Sequence, residues 1–247
     1  MSQMSKPMLL GVLCTAAWAM VAQGPAAAAA PGVTTPQRAV DQNGQPLPER
    51  GVQQPLVWRE VWKRTPGPVE HPVTQDNIAN PNLELKLYGP SGKDIQFNGG
   101  EGVVPFNPAH LWTGICEQTC GAAFRDKNNY YDLTGLAKIY WLVKISGLHR
   151  IHPIIKLANG DWLLGEHEDG TEYDLHPAGF TFSETRWIKL DVDKLVTHGR
   201  WVDKPDLTKV DEIGFTDLMP GSGHGDGGYS DLGWIEVYAK AVPRQGR

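Results

Sequence analysis

The chain has 247 residues, with 28 acidic against 23 basic side chains, a formal charge of −5 and a mean hydropathy of −0.35. Mild acidity argues against nucleic acid or an anionic membrane surface as a partner. Beyond residue 30 no apolar run approaches the roughly 18 residues of a membrane-spanning helix.

Residues 1–30 read as a Sec-type signal peptide. Lys6 gives a positive start, residues 8–21 are mostly apolar, and the alanine run at 26–30 offers small-residue cleavage sites. The expected location is therefore periplasmic or secreted. Cys14 is preceded by Leu13, a poor match to a lipoprotein site. Removing this segment takes away Lys6 alone, so −5 becomes −6, and leaves Cys116 and Cys120 as the two cysteines. In an oxidising compartment a pair this close is expected to form a disulfide. The alternative is a metal site using His110, Cys116 and Cys120, which lacks a fourth ligand. Residues 31–55, rich in Pro, Gln and Gly, read as a disordered linker, and 56–242 as one domain.

The domain reads as a succession of short strands. Residues 55–62 hold Trp58 and Trp62 in one phase, followed by 84–89, 94–97, 110–114 and 122–126, with a long loop over 98–108. Residues 130–136 carry turn chemistry, and 137–145 are rich in Ile, Val, Tyr and Trp. Strand geometry there puts Lys138, Tyr140, Leu142 and Lys144 on one face, and Ile139, Trp141, Val143 and Ile145 on the other, the core. Residues 149–157 and 161–167 flank Asn159-Gly160, the strongest hairpin signal in the chain. Strands at 180–182, 186–191, 210–216 and 233–238 follow, and only 192–196 hints at a helical turn. Many short strands with almost no helix predict an all-β, antiparallel sandwich.

The order of motifs resembles a known group. Tyr131-Asp132-Leu133-Thr134-Gly135, followed by Ile139-Tyr140-Trp141-Leu142-Val143-Lys144, resembles the Y-D-L-S-G…I-x-F-W-x-K segment of galactose-binding-like jelly rolls. These include several carbohydrate-binding modules and the complex I intermediate-associated proteins. Residues 187–190, 206–215 and 234–238 are similar to later strands of that group, although Gly233-Trp234 stands where it usually carries Asp-Asn. The resemblance implies a jelly roll, and for this group a structural Ca²⁺. It covers mainly fold-forming positions, and a fold does not fix a function.

Candidate site residues follow from chemistry. Flat aromatic faces stack on sugar rings while amides, carboxylates and histidines bond hydroxyls, which singles out Trp112, Tyr130, Tyr140 and Trp162. Trp141, Trp187 and Trp234 read as core. Arg125, on the strand at 122–126, joins the binding set. Arg150, His152 and Lys156 share a phase, next in sequence to Lys138, Tyr140 and Lys144, with Glu166 and His167 beyond the hairpin. If these strands pair, one face gathers all of them, suited to an acidic sugar or a phenolate. The same face reads also as a solvated charged surface. As a catalytic set it offers His152 or His167 near neutral pKa, Tyr140 as proton donor, and Arg150 or Lys156 opposite an enolate-like charge. Glu166 with Asp217 is the candidate carboxylate pair. The glycine-rich loop at 220–229 adds His224 and Asp226, near Asp217, as ligand or cation contacts without a dense carboxylate loop. No metal centre or organic cofactor is assigned. The first expectation is an exported jelly roll that binds a glycan or another plant-derived small molecule. The second is a cofactor-independent lyase, isomerase or hydrolase on the same scaffold.

Overall fold

The computed structural model describes residues 53–99, 107–223, 225 and 227–244. The signal segment, most of the linker, the loop at 100–106 and both His224 and Asp226 lie outside the described residues.

Two antiparallel sheets face each other across the core, the jelly-roll sandwich expected from the strand pattern. The seven-stranded sheet runs β11 (Glu172–Thr181), β8 (Lys138–Ile145), β15 (Ser230–Tyr238), β5 (His110–Trp112), β4 (Gln96–Asn98) and β2 (Glu70–Pro72). Strand β1 (Leu56–Glu60) lies alongside β15. Thus one edge of β15 is paired with β8, and the other is shared between β5 and β1. The nine-stranded sheet runs β13 (Val196–Val202), β12 (Trp187–Asp191), β10 (Trp162–Gly165), β9 (Ile151–Leu157), β14 (Val210–Asp217), β6 (Cys120–Asp126) and β3 (Leu83–Tyr88). Strand β7 (Asn129–Asp132) joins it at Val210, and β16 (Lys240–Pro243) pairs with β7.

The alternation in β8 falls as its sequence dictates. Ile139, Trp141, Val143 and Ile145 are buried, while Tyr140 keeps 37% of its surface exposed. Burying the Trp141 indole would orphan its N–H, and Asp169 Oδ2 accepts it at 2.6 Å. Trp58 and Trp62 both pack on Phe124, as their common phase predicts. Trp62, however, lies beyond β1 at φ 59. Its left-handed backbone is held by a buried carboxylate. Glu60 accepts the amides of Val61, Trp62, Ala79 and Asn80 at 2.8–3.1 Å, which gathers the whole connection from β1 to β3. The Trp62 indole then donates to the Leu232 and Gly233 carbonyls, where β15 bulges between Leu232 and Ile235. At the free edge of β3, the Gln75 side chain substitutes for a strand: it accepts from the Leu85 amide and donates to the Leu83 carbonyl.

Three expectations are corrected. Strands β8 and β9 are not neighbours. The chain leaves one sheet after Ile145 and enters the other at Ile151, so β8 pairs with β11 and β15, and β9 with β10 and β14. Residues 192–195 form a turn, and β13 follows it. Cys116 and Cys120 are free buried thiols rather than a disulfide. Cys116 points its thiol at the Ser91 carbonyl, 3.6 Å away. The neighbouring Cys116 thiol, together with burial, pushes the Cys120 thiol well above its ordinary pKa, so little thiolate is present to start oxidation.

Candidate functional site

The bulge in β15 and the register of its neighbours build a pocket on the outer face of the seven-stranded sheet. Asp231 stands opposite Lys144 of β8 on one side and Trp112 of β5 on the other. Leu111 points into the core, so its neighbours His110 and Trp112 point outward. Tyr229, one residue before β15, meets Trp112 edge-on at 6.2 Å between ring centres. With Asn98 and Asn107 these residues line a cavity of about 160 Å³. Thr113 and Ser230 lock its base by a pair of backbone and hydroxyl bonds, and the Thr113 hydroxyl donates to Asp217.

The electrostatics are those of a polar, nearly neutral pocket. Asp231 and His110 keep only 4% and 6% of their surface. Asp231 Oδ1 is 3.7 Å from His110 Nε2, and Oδ2 is 4.0 Å from Lys144 Nζ. The Lys144 ammonium rests 5.4 Å from the centre of the Tyr229 ring. Burial works to lower its pKa, but the Tyr229 hydroxyl and the Asp231 carboxylate outweigh that and raise it, so Lys144 is a fixed cation. The pocket therefore combines two aromatic edges, two amides, one carboxylate, one ammonium and one imidazole.

Further along the same outer face lies a second aromatic group. Tyr140 and Tyr238 meet edge-to-face at 5.9 Å, and the Lys138 ammonium sits 5.0 and 5.4 Å from their ring centres. Four residues along β8 separate Tyr140 from Lys144, about 13 Å at strand rise.

The remaining sequence candidates are dispersed. His152, Lys156, Arg125 and Trp162 stand on the opposite side of the molecule, on the outer face of the nine-stranded sheet. Lys156 and Lys86 there flank the fully buried Glu212 at 3.0 and 2.9 Å, and the Tyr88 hydroxyl donates to it at 2.7 Å. Trp162 packs edge-on against Tyr88 and is 9% exposed, so it offers no open face to a ring. Arg125 pairs with Asp211 and Glu84. Burial lowers the pKa of His152, whose Nε2 is 3.8 Å from Glu168, the carboxylate that also meets Arg150 at 3.7 Å. Tyr130 is covered by the Arg244 guanidinium at 4.0 Å.

Glu166 and His167 line another cavity, of about 400 Å³, with Phe180 and Glu184. His167 stacks on Phe180 at 4.4 Å and holds Asp169 at 3.3 Å, while Glu166 is engaged by Arg186. This cavity is larger, but its carboxylates are surface groups. The smaller pocket is the one built from buried charges. Asp217 differs from Glu166 in its surroundings: it is fully buried, and its oxygens accept from Thr113, His149 and the Met219 amide. With both oxygens engaged in this way, Asp217 does not fit a calcium cage. Nor do His110, Cys116 and Cys120 come together, and among the described residues no group of three or more His, Cys, Asp or Glu is placed to hold a metal.

Of the pocket residues, the sequence singles out Trp112 as a sugar contact. Lys144 is legible only as an outward lysine on a core strand, and His110 only as a metal candidate. Asn98, Asn107, Tyr229 and Asp231 carry no signal at all, because the pocket forms only where β15 meets β8 and β5, at Asp231 opposite Lys144 and Trp112, far apart in the chain.

No family model and no curated protein matches the chain. Among solved structures it is similar to a family 11 carbohydrate-binding module from Clostridium thermocellum in complex with a β-1,3-1,4-mixed-linked tetrasaccharide. The identity is 14% over 73% of this chain and 95% of the module, with a TM-score of 0.39. The same module family from the cellulosomal cellulase Lic26A-Cel5E of that organism gives 13%, 74%, 96% and 0.40. An exo-β-agarase gives 10% over 68% of this chain and 24% of its own, at 0.35. Two of these three neighbours are carbohydrate-binding modules. At such distances the likeness carries no argument about ligand or reaction.

Proposed function

We propose that this protein binds carbohydrate on the outer face of its seven-stranded sheet, with the Trp112–Tyr229–Asp231 pocket as the principal contact. The supporting observation is the composition of that pocket: the partly exposed Tyr229 ring, backed by the buried Trp112, beside a nearly buried carboxylate, an ammonium and two amides in about 160 Å³. The Tyr229 ring face covers the apolar C–H face of a sugar ring, and the polar groups bond its hydroxyls. Tyr140 and Tyr238, on the same face, extend the apolar surface along a longer chain. The acid–base set of Tyr140 with His152 or His167 and Arg150 or Lys156 is less well supported: Tyr140 stands on the seven-stranded sheet, His152 and Lys156 on the nine-stranded one, Arg150 just before β9 and His167 just after β10.

Titration of neutral oligosaccharides into the purified domain is expected to give saturable quenching of tryptophan fluorescence, with the saccharide recovered unchanged. Tyr229→Ala should weaken binding about 10-fold, and Tyr140→Ala by less, as expected for loss of one aromatic contact. Absence of a saturable signal across glucans, xylans, mannans and galactans would remove this reading. New product in the same samples would favour the enzyme.

We propose also that the protein acts outside the cytoplasm, on the strength of Lys6, the apolar run at 8–21 and the alanines at 26–30. Expression of the full chain in a Gram-negative host should deposit it in the periplasm or medium, with an N-terminus near residue 31. Retention of Met1 in the cytosolic fraction would defeat this assignment.

A further inference from the structure

We infer that Trp234 is a third sugar contact on this face, and that the ligand is a linear oligosaccharide long enough to run from the Tyr229–Asp231 pocket past Trp234 to the Tyr140–Tyr238 pair. The inference rests on the carbohydrate reading above and deepens it by fixing the course and length of the ligand.

The bulge in β15 makes that course possible. Leu232 stands opposite Val143 and Ile235 opposite Trp141, so β15 advances three residues while β8 advances two. All four side chains belong to the core, and the extra residue therefore reverses the phase of β15 between them. Before the bulge the outward residue is Asp231, which lines the pocket. After it, Ile235 and Val237 are buried in the core while Trp234, Glu236 and Tyr238 are partly exposed on the outer face. Unbroken alternation from Asp231 would have turned Ile235 and Val237 outward and buried Trp234, Glu236 and Tyr238. Trp234, expected from the sequence in the core, is thus brought out by one inserted residue. Gly233 lets the bulge fit, since a Cβ there would stand 2.9 Å from Leu142 Cδ2, and the Trp62 indole holds it by bonds to the Leu232 and Gly233 carbonyls.

The surroundings of Trp234 repeat the chemistry of the pocket. The half-exposed Arg59 guanidinium stands 5.7 Å from the centre of the indole, as Lys144 does at 5.4 Å from Tyr229 and Lys138 at 5.0 and 5.4 Å from Tyr140 and Tyr238. Arg59 lies opposite Glu236, with Nε 3.4 Å from Oε1, and the Tyr238 hydroxyl donates to Oε2 at 2.9 Å. The rings offer apolar surface to sugar C–H groups, and the Arg59 Nη groups and the Glu236 carboxylate offer partners to hydroxyls. Three such units follow one another along a single face. On β8 the outward path from Lys144 to Lys138 covers six residues, about 20 Å at strand rise. No mono- or disaccharide spans it. A chain that does span it makes its second and third contacts at high effective concentration.

The experiment measures calorimetric affinities of the purified protein for gluco-, xylo-, manno- and galacto-oligosaccharides of two to six residues, with melting temperatures recorded for each variant. In the series that binds best, wild-type affinity should rise about 100-fold from disaccharide to hexasaccharide. Trp234→Ala should cost the hexasaccharide about 10-fold and leave the disaccharide unchanged, Trp234→Phe should recover most of that loss, and Tyr229→Ala should weaken both lengths. A purely structural role for Trp234 would weaken both lengths alike. The hexasaccharide should also quench more tryptophan emission than the disaccharide, a difference that Trp234→Phe should remove; this arm does not depend on the alanine variant folding.

A disaccharide that binds as tightly as the hexasaccharide would overturn the inference. So would a Trp234→Ala protein that binds the hexasaccharide as the wild type does or weakens both lengths alike, or a quenching difference that survives in Trp234→Phe. In each case the carbohydrate reading would stand without it. If no saccharide of any length binds the wild type, the carbohydrate reading itself falls and takes this inference with it.

Discussion

Glu60→Ala is expected to lower the unfolding free energy by about 4 kcal/mol, a large share of the roughly 5–15 kcal/mol typical of a folded domain. The carboxylate is fully buried and is the shared acceptor of four backbone amides, two of them more than 15 residues away. Removing it leaves those N–H groups, one buried and three partly buried, without this acceptor, and each orphan costs about 1–3 kcal/mol, less what relaxation or water recovers. Glu60→Gln keeps one acceptor oxygen but presents an N–H₂ to an amide donor, so about half the loss is expected. Urea unfolding of the three proteins tests this, with an unchanged slope showing that the folded state is intact. A loss below about 1 kcal/mol for the alanine variant would mean the loop is held by its apolar contacts instead. The effect should also reach the pocket, because Trp62 is fixed by Glu60 and in turn holds the bulge of β15 next to Asp231.

Alkaline unfolding is expected to be steep. Tyr131 is almost fully buried with its hydroxyl donating to Asp126, and Tyr88 donates to Glu212. Burial, followed by the bond to a carboxylate, pushes both phenols far above the ordinary tyrosine value near 10. The unfolded chain loses these protons above about pH 10 while the folded chain keeps them, so the unfolded state binds fewer protons and stability falls as pH rises. Below pH 10 the contribution is fully present. Each such proton gives a slope of about 1.4 kcal/mol per pH unit; with Tyr88 discounted because it is only partly buried, the pair gives about 2. Unfolding free energies at pH 9, 10, 11 and 11.5 would show the slope, and ultraviolet titration should leave two of the seven tyrosines unionised in the native protein. Tyr131→Phe should flatten the curve. A stability independent of pH to 11.5 would contradict the assignment.

What the sequence disclosed depends on how much each segment is asked to bury. In β8 a strict alternation of apolar and polar residues had to match two different environments, and it was legible residue by residue. Strand β13, Val196–Val202, is exposed along nearly its whole length and β11 over its first half, so neither carries an apolar period. Both are edge strands, where charged and proline-containing sequences are tolerated. The site was legible only at Trp112. Asp231 and Tyr229 look like loop-end polar and aromatic residues until β15 is placed between β8 and β5. Reading β8 and β9 as neighbours was the natural inference from a short connection, since successive strands usually pair. The turn at 146–150 instead carries the chain across the sandwich, which moves His152, Arg150 and Lys156 away from Tyr140.

The position of β15 has a consequence for the order in which the molecule can form. This strand joins β1, β5 and β8, which span residues 56 to 145, yet it is itself residues 230–238. Until the ribosome has passed residue 238, β1 and β5 have no partner on that side, and the first sheet cannot close around its core. The nascent chain must therefore carry Trp58, Trp62, Trp112 and Trp141 without the cover of that sheet through synthesis. Closure then depends on loops of up to about 180 residues, a long-range search that makes for slow folding and a long exposure to chaperones or to aggregation.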